Sequence, residues 1–401
     1  MTTRRSTEWA PSMRKMLSIL LAGTAIISTA RAADLIVSAN DGKYVRVQGT
    51  STYPQPAPSD SLAVIDAAQF PPVLKFVLEG IEHTIAGPPQ AVAITPDGKL
   101  IVVGAPSKYD YDTKKETFGT FLQLVDLLAS PPKLLDRVEI GSHPNGLSIN
   151  GSGTILLAAT LDGTVKVLTI SDKEIKLVDS VKVGDKRLAG ISFTHDGKSA
   201  LVSRRDEGGV AVLSVDGTSV SLTNERVSTG LAPYAIDVSS DGNLAVIGNA
   251  GLAGLPGMLT PGDADVVALV DVSRRPFRTV QYLTVPAVPE GVSISPNGKW
   301  IAIQSLNGSN LTPSDPGPGR QKLGRVTLFS VENGIATRVN DLASGEAAQG
   351  IVFAKDNKTI LVQFDVEKQI AVYQIQDGQL TDTGTRLDLK AGPVSIRSMP
   401  R

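Results

Sequence analysis

One short hairpin recurs six times along the chain and constrains the fold more than any other feature. Each copy consists of a small residue, an alternating strand, a tight turn and a second apolar strand. The copies are Ala91–Val103, Gly146–Ala158, Gly190–Ser203, Ala235–Gly248, Gly291–Gln304 and Gly350–Gln363. Their turns contain Asp-Gly, Asn-Gly, Ser-Gly or Asp-Asn, which tolerate the positive φ that a tight hairpin requires. Apolar residues at every second position predict half-buried strands on both sides of each turn.

Two more predicted strands separate successive hairpins. The third strand is an apolar run with seven copies, at Ser61–Asp66, Thr120–Asp126, Thr164–Ile170, Val210–Asp216, Asp265–Asp271, Arg325–Val331 and Gln369–Ile375. The fourth strand is more polar, which suits the exposed edge of a sheet. A repeated unit of four antiparallel strands is typical of a propeller blade. We therefore predict an all-β fold for residues 33–401, a seven-bladed β-propeller of four-stranded antiparallel blades.

The N- and C-terminal strands are predicted to share one blade. The sequence has seven third strands but only six complete first hairpins. Asp34–Asn40 is similar to the second strand of a hairpin, and Val394–Ile396 is similar to the first strand Val292–Ile294. Pairing these two segments would close the ring without an open edge. An alternative register, displaced by two residues, aligns Pro393 with the prolines of the other blades.

An export signal is predicted ahead of the propeller. Arg14 and Lys15 precede the apolar stretch 16–28, and residues 30–32 have the small-x-small pattern of a cleavage site. We expect residues 1–32 to be a signal peptide and the mature chain to be a periplasmic monomer that begins at Ala33 and is not held by the membrane. An uncleaved anchor is the alternative. Residues 1–12 would lie upstream of the true start if translation begins at Met13.

Composition narrows the possible chemistry. The chain has no cysteine, which excludes disulfides, thiolate metal sites, a cysteine nucleophile and thioether-linked haem. Its three histidines are His83, His143 and His195. A three-histidine metal centre would need all of them, so we expect no metal site of that kind. The net charge of −1 gives no reason to expect nucleic acid as a partner.

Calcium is the one ion that the sequence leaves open as an alternative. Asp110 with Asp112, and Asp263 with Asp265, place two carboxylates on a loop, as a calcium site can do. Neither pair is followed by the remaining ligands in a recognisable pattern. We therefore expect no cofactor.

The repeats resemble those of the YVTN-repeat and cytochrome-D1-like propeller superfamily, which includes lactonase-like seven-bladed propellers. The resemblance is clearest at Pro89–Val103 and Pro289–Ile303, where a proline and a small residue precede the strand–turn–strand unit. It covers essentially the whole chain after Ala32. The literal YVTN tetrapeptide is absent, as are the Trp-Asp signature of WD40 repeats and the Gly-Gly signature of kelch repeats. The resemblance implies the fold and offers a lactonase-like activity as one alternative.

The loops before the inner strands are predicted to surround one end of the central channel, which we name the mouth. The residues at these positions are Gln90, Asn145, Leu188, Tyr234, Glu290 and Gln349. We take Gln90, Asn145, Tyr234 and Gln349 as candidate ligand-binding residues. The candidate catalytic residues are His143, Arg187 and Glu290, because arginine can stabilise an oxyanion while histidine or glutamate activates water.

Four connections between second and third strands are long, and we expect them on the same face as the mouth. They are residues 41–60, 104–119, 249–264 and 306–322. Long loops of this kind are often functional. The first hypothesis is therefore a non-catalytic periplasmic module that binds a small molecule or a protein through these loops. The alternatives are a hydrolase or isomerase acting on a lactone or sugar acid, and an accessory protein of a periplasmic redox enzyme. One fold hosts many functions, so the sequence leaves all three open.

Overall fold

Seven four-stranded antiparallel sheets, arranged as the blades of a ring, make up the propeller in the described part of the chain. The structure is a computed structural model that describes residues 1–3, 34–254, 264–312 and 320–400. Contacts between residues divide the chain into Met1–Ala32 and Ala33–Arg401. The predicted signal peptide lies outside the described residues, apart from residues 1–3, and all of the following concerns the second unit. The prediction of a seven-bladed propeller is confirmed.

The strands of each blade run from the channel to the outer edge. Blades 1 and 2 consist of Gly392–Ser398, Leu35–Asp41, Ser61–Asp66 and Val73–Glu79, and of Val92–Ile94, Leu100–Val103, Phe121–Asp126 and Lys133–Glu139. Blades 3 and 4 consist of Pro144–Ile149, Ile155–Thr160, Thr164–Ser171 and Glu174–Lys182, and of Ile191–Phe193, Ser199–Ser203, Val210–Asp216 and Ser219–Val227. Blade 5 consists of Pro233–Val238, Leu244–Asn249, Asp265–Asp271 and Arg278–Val285. Blades 6 and 7 consist of Pro289–Ile294, Trp300–Ser305, Arg325–Glu332 and Ile335–Ala343, and of Ile351–Phe353, Thr359–Phe364, Gln369–Gln376 and Gln379–Asp388.

In the described parts of the connections between second and third strands, the structure has three smaller elements. Blade 1 carries a hairpin of Val45–Val47 and Thr50–Thr52, which we name the cap hairpin. Blade 2 carries a hairpin of Ser107–Asp110 and Lys115–Phe118. A short 3-10 helix, Leu252–Gly254, follows the second strand of blade 5.

The two ends of the chain pair within blade 1, as the sequence predicts. Pro393 lies opposite Asn40, and Ser395 lies opposite Ala39. The same step in blade 6 pairs Pro289 with Ser305 and Gly291 with Gln304. The alignment of Val394–Ile396 with Val292–Ile294 is therefore displaced by two residues. The alternative register, which matches Pro393 to the prolines of the other blades, is the one found.

Burial between neighbouring blades forms the core. The second strand of blade 3 is buried along its whole length, whereas the outer strand of blade 1 alternates between exposed and half-buried residues. Leu157 and Val165 of blade 3 belong to one apolar cluster with Phe193 and Val202 of blade 4. Each fully buried side chain of this size contributes about 1.5–3 kcal/mol. A blade cannot cover its own two faces, so this stabilisation depends on the complete ring.

Buried hydrogen bonds join the terminal strands to the neighbouring blades. Gln363 of blade 7 donates from Nε2 to Ser38 Oγ at 2.7 Å and to the carbonyl of Ser395 at 3.0 Å. His83 lies 3.0 Å from the carbonyl of Gly104 through Nδ1 and 2.8 Å from Ser395 Oγ through Nε2. Burial lowers the pKa of His83 to about 3, so its ring is neutral. This network holds the ring closed without a covalent link.

Candidate functional site

A repeated irregularity interrupts the pairing of several inner strands at the mouth. In blades 3, 5 and 6 the pairing with the second strand shifts just after the opening prolines, Pro144, Pro233 and Pro289. The residue after each proline is left without a partner on the second strand in this register, as in a β-bulge. Asn145 and Glu290 occupy this position. Leu188, which the sequence analysis placed in the same group, is instead buried in the core between blades 3 and 4.

Glu290 is the central group of the mouth. Among the described residues, its buried Oε2 atom has no hydrogen-bond partner. Burial raises the pKa of Glu290 to about 7, against the opposing influence of Arg205, Arg46 and Arg187. A carboxyl group in this state is ready both to lose and to accept a proton near neutral pH. Such perturbed groups are enriched at functional sites.

Two arginines of blade 4 and its flanking loops are held close to Glu290. Arg187 donates to the carboxylate of Asp206 from Nε at 3.2 Å and from Nη2 at 2.9 Å. Arg205 Nη1 lies 3.8 Å from the same carboxylate. The Arg205 guanidinium also lies 4.6 Å from the centre of the Tyr234 ring, a cation–π distance. Burial lowers the pKa of Arg205, while Tyr234, Glu290 and Asp206 favour its charged form.

Tyr234, Gln349 and Gly87 form the next wall of the mouth. Burial and the nearby Glu290 raise the pKa of Tyr234 to about 12, so its hydroxyl stays protonated. Gln349 donates to the carbonyl of Ala347 at 3.1 Å, and its buried Oε1 has no partner among the described residues. A Cβ atom on Gly87, whose φ is +113°, would lie 3.1 Å from the Tyr234 hydroxyl and 3.6 Å from Gln349 Oε1. A glycine here keeps open the space that these two polar groups face.

Gln90 and Arg397 cross the channel and close it below the mouth. Gln90 of blade 2 donates to the carbonyl of Ile236 at 2.8 Å and accepts from the Ile236 amide at 2.9 Å. Arg397 of blade 1 donates to the carbonyls of Ile236 and Ile191 at 3.4 and 3.2 Å. The space that extends below Gln90 holds a cavity of about 120 Å³. The mouth is therefore a cup with a floor rather than the entrance to an open pore.

The predicted site residues separate into two groups. Arg187 and Glu290 come together with Tyr234 and Gln349 around the mouth. His143 instead donates from Nδ1 to the carbonyl of Gly119 at 2.9 Å, and its ring lies 5.1 Å from that of Phe118. Burial lowers the pKa of His143, and within the described residues neither Arg187 nor Glu290 influences it.

Gln90 and Asn145 have their side-chain amides engaged with the backbone. The Gln90 amide is taken up by Ile236, and Asn145 donates to the carbonyl of Leu188 at 2.8 Å. These bonds shape the floor and wall of the cup. The ligand-binding role of the two residues stays a prediction.

Arg205 and Arg46 are among the residues of the mouth that the sequence analysis missed, as are Asp206 and Gly87. Arg205 lies two residues beyond Ser203, which pairs with Gly190 at the end of the second strand. The corresponding positions in blades 1 and 7 hold Asp41 and Asp365. A charged residue two positions beyond the second strand could therefore have indicated in the sequence that Arg205 belongs to the mouth. Arg46 has no counterpart in the repeat, because it belongs to the cap hairpin.

The cap hairpin extends from blade 1 toward the loops of blades 6 and 7. The Gln48 amide donates to the carboxylate of Glu346 in the connection between blades 6 and 7. Gly49 packs so closely on the backbone of Leu311 that a Cβ atom would overlap it. On the other side, the rings of Tyr53 and Tyr109 stack with centres 3.6 Å apart. The hairpin thus contacts loops of blades 6 and 7, and Tyr53, the residue that follows it, contacts blade 2.

A buried lysine anchors the base of the cap hairpin. Lys43 Nζ lies 3.1 Å from Asp41 and 2.6 Å from Asp60, and it donates to the carbonyls of His83 and Thr84 at 2.8 and 3.1 Å. Burial raises the pKa of Asp41 to about 7, although Lys43 acts to lower it. The lysine ties the cap hairpin to the loop that leads to Gly87.

The paired aspartates considered for calcium take part in loop hydrogen bonds. Asp110 Oδ1 accepts from the amides of Asp112 and Thr113 at 2.9 and 3.1 Å. Asp265 accepts from the amide of Val288 at 2.7 Å, and its predicted partner Asp263 lies outside the described residues. No group of three or more acidic or histidine side chains is arranged to hold a metal within the ranges that the structure describes. In the same ranges, no helix has the length and apolar character needed to span a membrane.

Comparison with known proteins shows a likeness of structure. No protein-family model and no curated protein matches the sequence. A putative 6-phosphogluconolactonase from Bacteroides fragilis NCTC 9343 is 16% identical, with 93% of this chain and 99% of that chain covered and a TM-score of 0.66. The periplasmic gluconolactonase of Pseudomonas aeruginosa is 15% identical over 92% of this chain and 99% of that chain, with a TM-score of 0.61.

Proteins of other kinds share the fold as well. Kuenenia stuttgartiensis hydrazine synthase is 18% identical, with 79% of this chain and 92% of that chain covered and a TM-score of 0.57. Identities this low establish the fold alone. The chain has the seven-bladed propeller fold found in lactonase-like proteins, as the resemblance of its repeats implies.

Proposed function

We propose that the protein hydrolyses the lactone of a sugar acid at the mouth, with Glu290 as general base and Arg205 as the group that stabilises the oxyanion. The observation that carries this proposal is Glu290 itself. Its buried Oε2 has no hydrogen-bond partner in the described structure, and its pKa of about 7 suits a base that works at neutral pH. The lactonases among the structural neighbours support the choice of substrate.

The reaction needs one base, one cationic group and one water. Glu290 removes a proton from the water, whose oxygen forms the new bond to the lactone carbonyl carbon. The carbonyl oxygen takes up the negative charge beside Arg205, which is fixed by Tyr234 and Asp206 before the substrate arrives. When the ring C–O bond breaks, the leaving oxygen takes the proton from Glu290. The carboxylate is restored, and one water is consumed for each acid formed.

Non-catalytic ligand binding at the same mouth is the second candidate function. The observation that favours it is the crowding of Arg46, Arg187 and Arg205 around one carboxyl group. Such a site would hold an anionic ligand whether or not Glu290 activates water. This candidate and the hydrolase differ in one measurable respect, which is turnover.

The test is a lactonase assay on the chain from Ala33, with matched glutamate variants. The Glu290→Gln change keeps the size of the side chain but removes the base, so we expect kcat to fall by about 10²- to 10⁴-fold. Glu332→Gln is the control, because Glu332 is an exposed residue at the end of the third strand of the same blade. Turnover of glucono-1,5-lactone is followed by acid release above the spontaneous rate. Equal activity of the wild type and Glu290→Gln would contradict the proposal, and binding without turnover would favour the second candidate.

The proposed site of action is the periplasm. Support comes from the predicted signal peptide and from the periplasmic gluconolactonase among the structural neighbours. Protein for the assay is therefore prepared from the periplasm of a bacterial host that expresses the full chain. Its N-terminal sequence is expected to begin at Ala33, and an intact Met1 or Met13 would contradict the predicted cleavage.

A further inference from the structure

We infer that Arg46 selects ligands that carry an anionic group, and that a carboxylate or phosphate on an acidic sugar lactone binds to it. This inference rests on the proposed function for the identity of the ligand. It assigns the cap hairpin, which no repeat of the propeller requires, a role in specificity. It also makes Arg46 a binding residue that is separate from the base Glu290 and the oxyanion-stabilising Arg205.

The position of the cap hairpin supports this role. The hairpin starts in blade 1, and its tip contacts Glu346 in the connection between blades 6 and 7 and the backbone of Leu311 in a loop of blade 6. Glu290 and Gln349 begin the inner strands of that same sector. Arg46 is half-buried on the first strand of the hairpin and acts electrostatically on both Glu290 and Asp365. Its guanidinium is therefore near the cup and still accessible to a ligand.

The hydrogen bonds of the three arginines differ. Arg187 and Arg205 both lie against the carboxylate of Asp206. Arg46 donates from Nε to the hydroxyl of Tyr44 at 2.9 Å and, within the described residues, forms no ion pair. Both of its terminal nitrogens are left to form a two-pronged contact with an oxyanion. Of the three arginines, Arg46 is thus the one whose charge is not shared with Asp206.

The charge balance of the mouth points to the same class of ligand. Three arginines face three carboxyl groups, Asp206, Glu290 and Asp365. Burial raises the pKa of Glu290 to about 7 and that of Asp365 well above its ordinary value, so neither is fully ionised near neutral pH. A positive excess remains in a partly buried cup, where an opposite charge is attracted more strongly than in water. A neutral sugar lactone would leave this excess unbalanced. A lactone with a carboxylate or phosphate would balance it.

The experiment compares neutral and acidic lactones on matched arginine variants. The substrates are glucono-1,5-lactone, its 6-phosphate and a glucarolactone, which together separate no charge, phosphate and carboxylate. For Arg46→Gln we expect KM for the acidic lactones to rise by about 10- to 100-fold, and by much more than KM for the neutral lactone. Arg46→Lys should restore part of the loss. Arg278→Gln, a change at an exposed outer-strand arginine, should have no effect.

Three kinetic results would overturn the inference. One is a wild type that does not prefer an acidic lactone over the neutral one. Another is an equal rise in KM for neutral and acidic substrates in Arg46→Gln, which would mean that Arg46 only holds the cap in place. The third is an unchanged KM for both acidic lactones. A rise confined to the phosphate or to the carboxylate would support the inference and identify the anion.

Binding measurements separate this inference from the proposed hydrolase. If no lactone is turned over, the proposed function fails. Arg46 is then tested by calorimetry with the open-chain acids gluconate 6-phosphate and glucarate. A loss of binding in Arg46→Gln that is not seen in Arg278→Gln would support the inference without catalysis. Equal binding by the wild type and Arg46→Gln, or binding by neither, would overturn it.

Discussion

The two ends of the channel carry acidic side chains whose pKa values move in opposite directions. At the end formed by the hairpin turns, Asp241 accepts hydrogen bonds from Ser239 Oγ, from the amide of Asn243 at 3.0 Å and from Asn243 Nδ2 at 2.8 Å. Burial acts to raise the pKa of Asp241, but these hydrogen bonds outweigh it and lower the pKa. Asp97 and Asp196 have lowered pKa values in the corresponding turns of blades 2 and 4.

At the mouth the balance is reversed. Burial raises the pKa of Glu290 and that of Asp41 to about 7, and it raises the pKa of Asp365 well above the ordinary value. Nearby arginines and lysines reduce these shifts without cancelling them. The turn carboxylates therefore stabilise the fold in their charged form, whereas the mouth carboxyls destabilise it when charged. Groups whose pKa values are perturbed by burial are enriched at functional sites.

The largest effect expected from this contrast is on the pH dependence of the reaction. If Glu290 is the base, only its ionised form is active, so the rate should be half-maximal near pH 7, the pKa that burial gives this residue. Below that pH, kcat/KM should fall about tenfold for each pH unit. The measurement is the lactonase rate from pH 5 to pH 8, corrected for spontaneous hydrolysis. An Asp241→Asn variant should give the same profile, because Asp241 lies at the other end of the channel.

A rate that does not change with pH would contradict a role in catalysis for the raised pKa of Glu290. It would mean that Glu290 does not titrate in the active state or does not act as a base. A kcat/KM profile with its midpoint near the ordinary carboxylate pKa would contradict a raised pKa of Glu290 in the free enzyme.

The sequence was sufficient for the fold because the information is local and repeated. The turn residues around Asp97, Asp196 and Asp241 specify hairpins by themselves, and six copies leave few other architectures. Even the shared blade could be predicted, since one hairpin is missing and its two halves stand at the chain ends. The register at Pro393 was less certain, because a shift of two residues preserves which face of the strand is apolar.

The site was predicted only in part, for a physical reason. The sequence places Arg187, Glu290, Tyr234 and Gln349 near one another because equivalent positions of different blades surround one mouth, and their catalytic and ligand-binding roles stay predictions. Arg46 could not be found in this way, because its position depends on where the cap hairpin lies in three dimensions. The sequence also does not show that Arg187 and Arg205 both lie against the carboxylate of Asp206, because that pairing depends on side-chain conformation.

The second prediction concerns stability at the mouth. A group whose folded-state pKa is raised gives full stability below its unfolded pKa and loses it as the pH rises through the folded pKa. For Glu290 this window runs from 4.5 to about 7. Glu290→Gln should therefore be more stable than the wild type at pH 8, by about 2 kcal/mol, with the difference disappearing near pH 4.5. Urea unfolding at both pH values measures this difference, and a variant that is less stable at pH 8 would contradict the idea that Glu290 is strained by burial.

The smallest effect is expected at the turn end, and its sign is opposite. Asp241→Ala removes the acceptor of three hydrogen bonds in an exposed turn and should cost about 1 kcal/mol. Asp241→Asn should cost less, because blade 6 already uses Asn297 at this position, where it accepts from Ser295 Oγ at 2.7 Å and from the amide of Lys299 at 3.1 Å.

The two Asp241 variants also separate hydrogen bonding from charge. Because its folded-state pKa is lowered, Asp241 contributes stability above its unfolded pKa of 3.8 that is lost as the pH falls through the folded pKa. Asp241→Asn should therefore match the wild type more closely at low pH than at pH 7, and both variants should keep full lactonase activity. Urea unfolding at pH 7 and pH 3 together with the activity assay provides the measurement. A loss of activity in Asp241→Asn without loss of stability would show that the two ends of the channel are coupled. It would contradict the idea that the turn-end carboxylates serve stability and the mouth carboxyls serve activity.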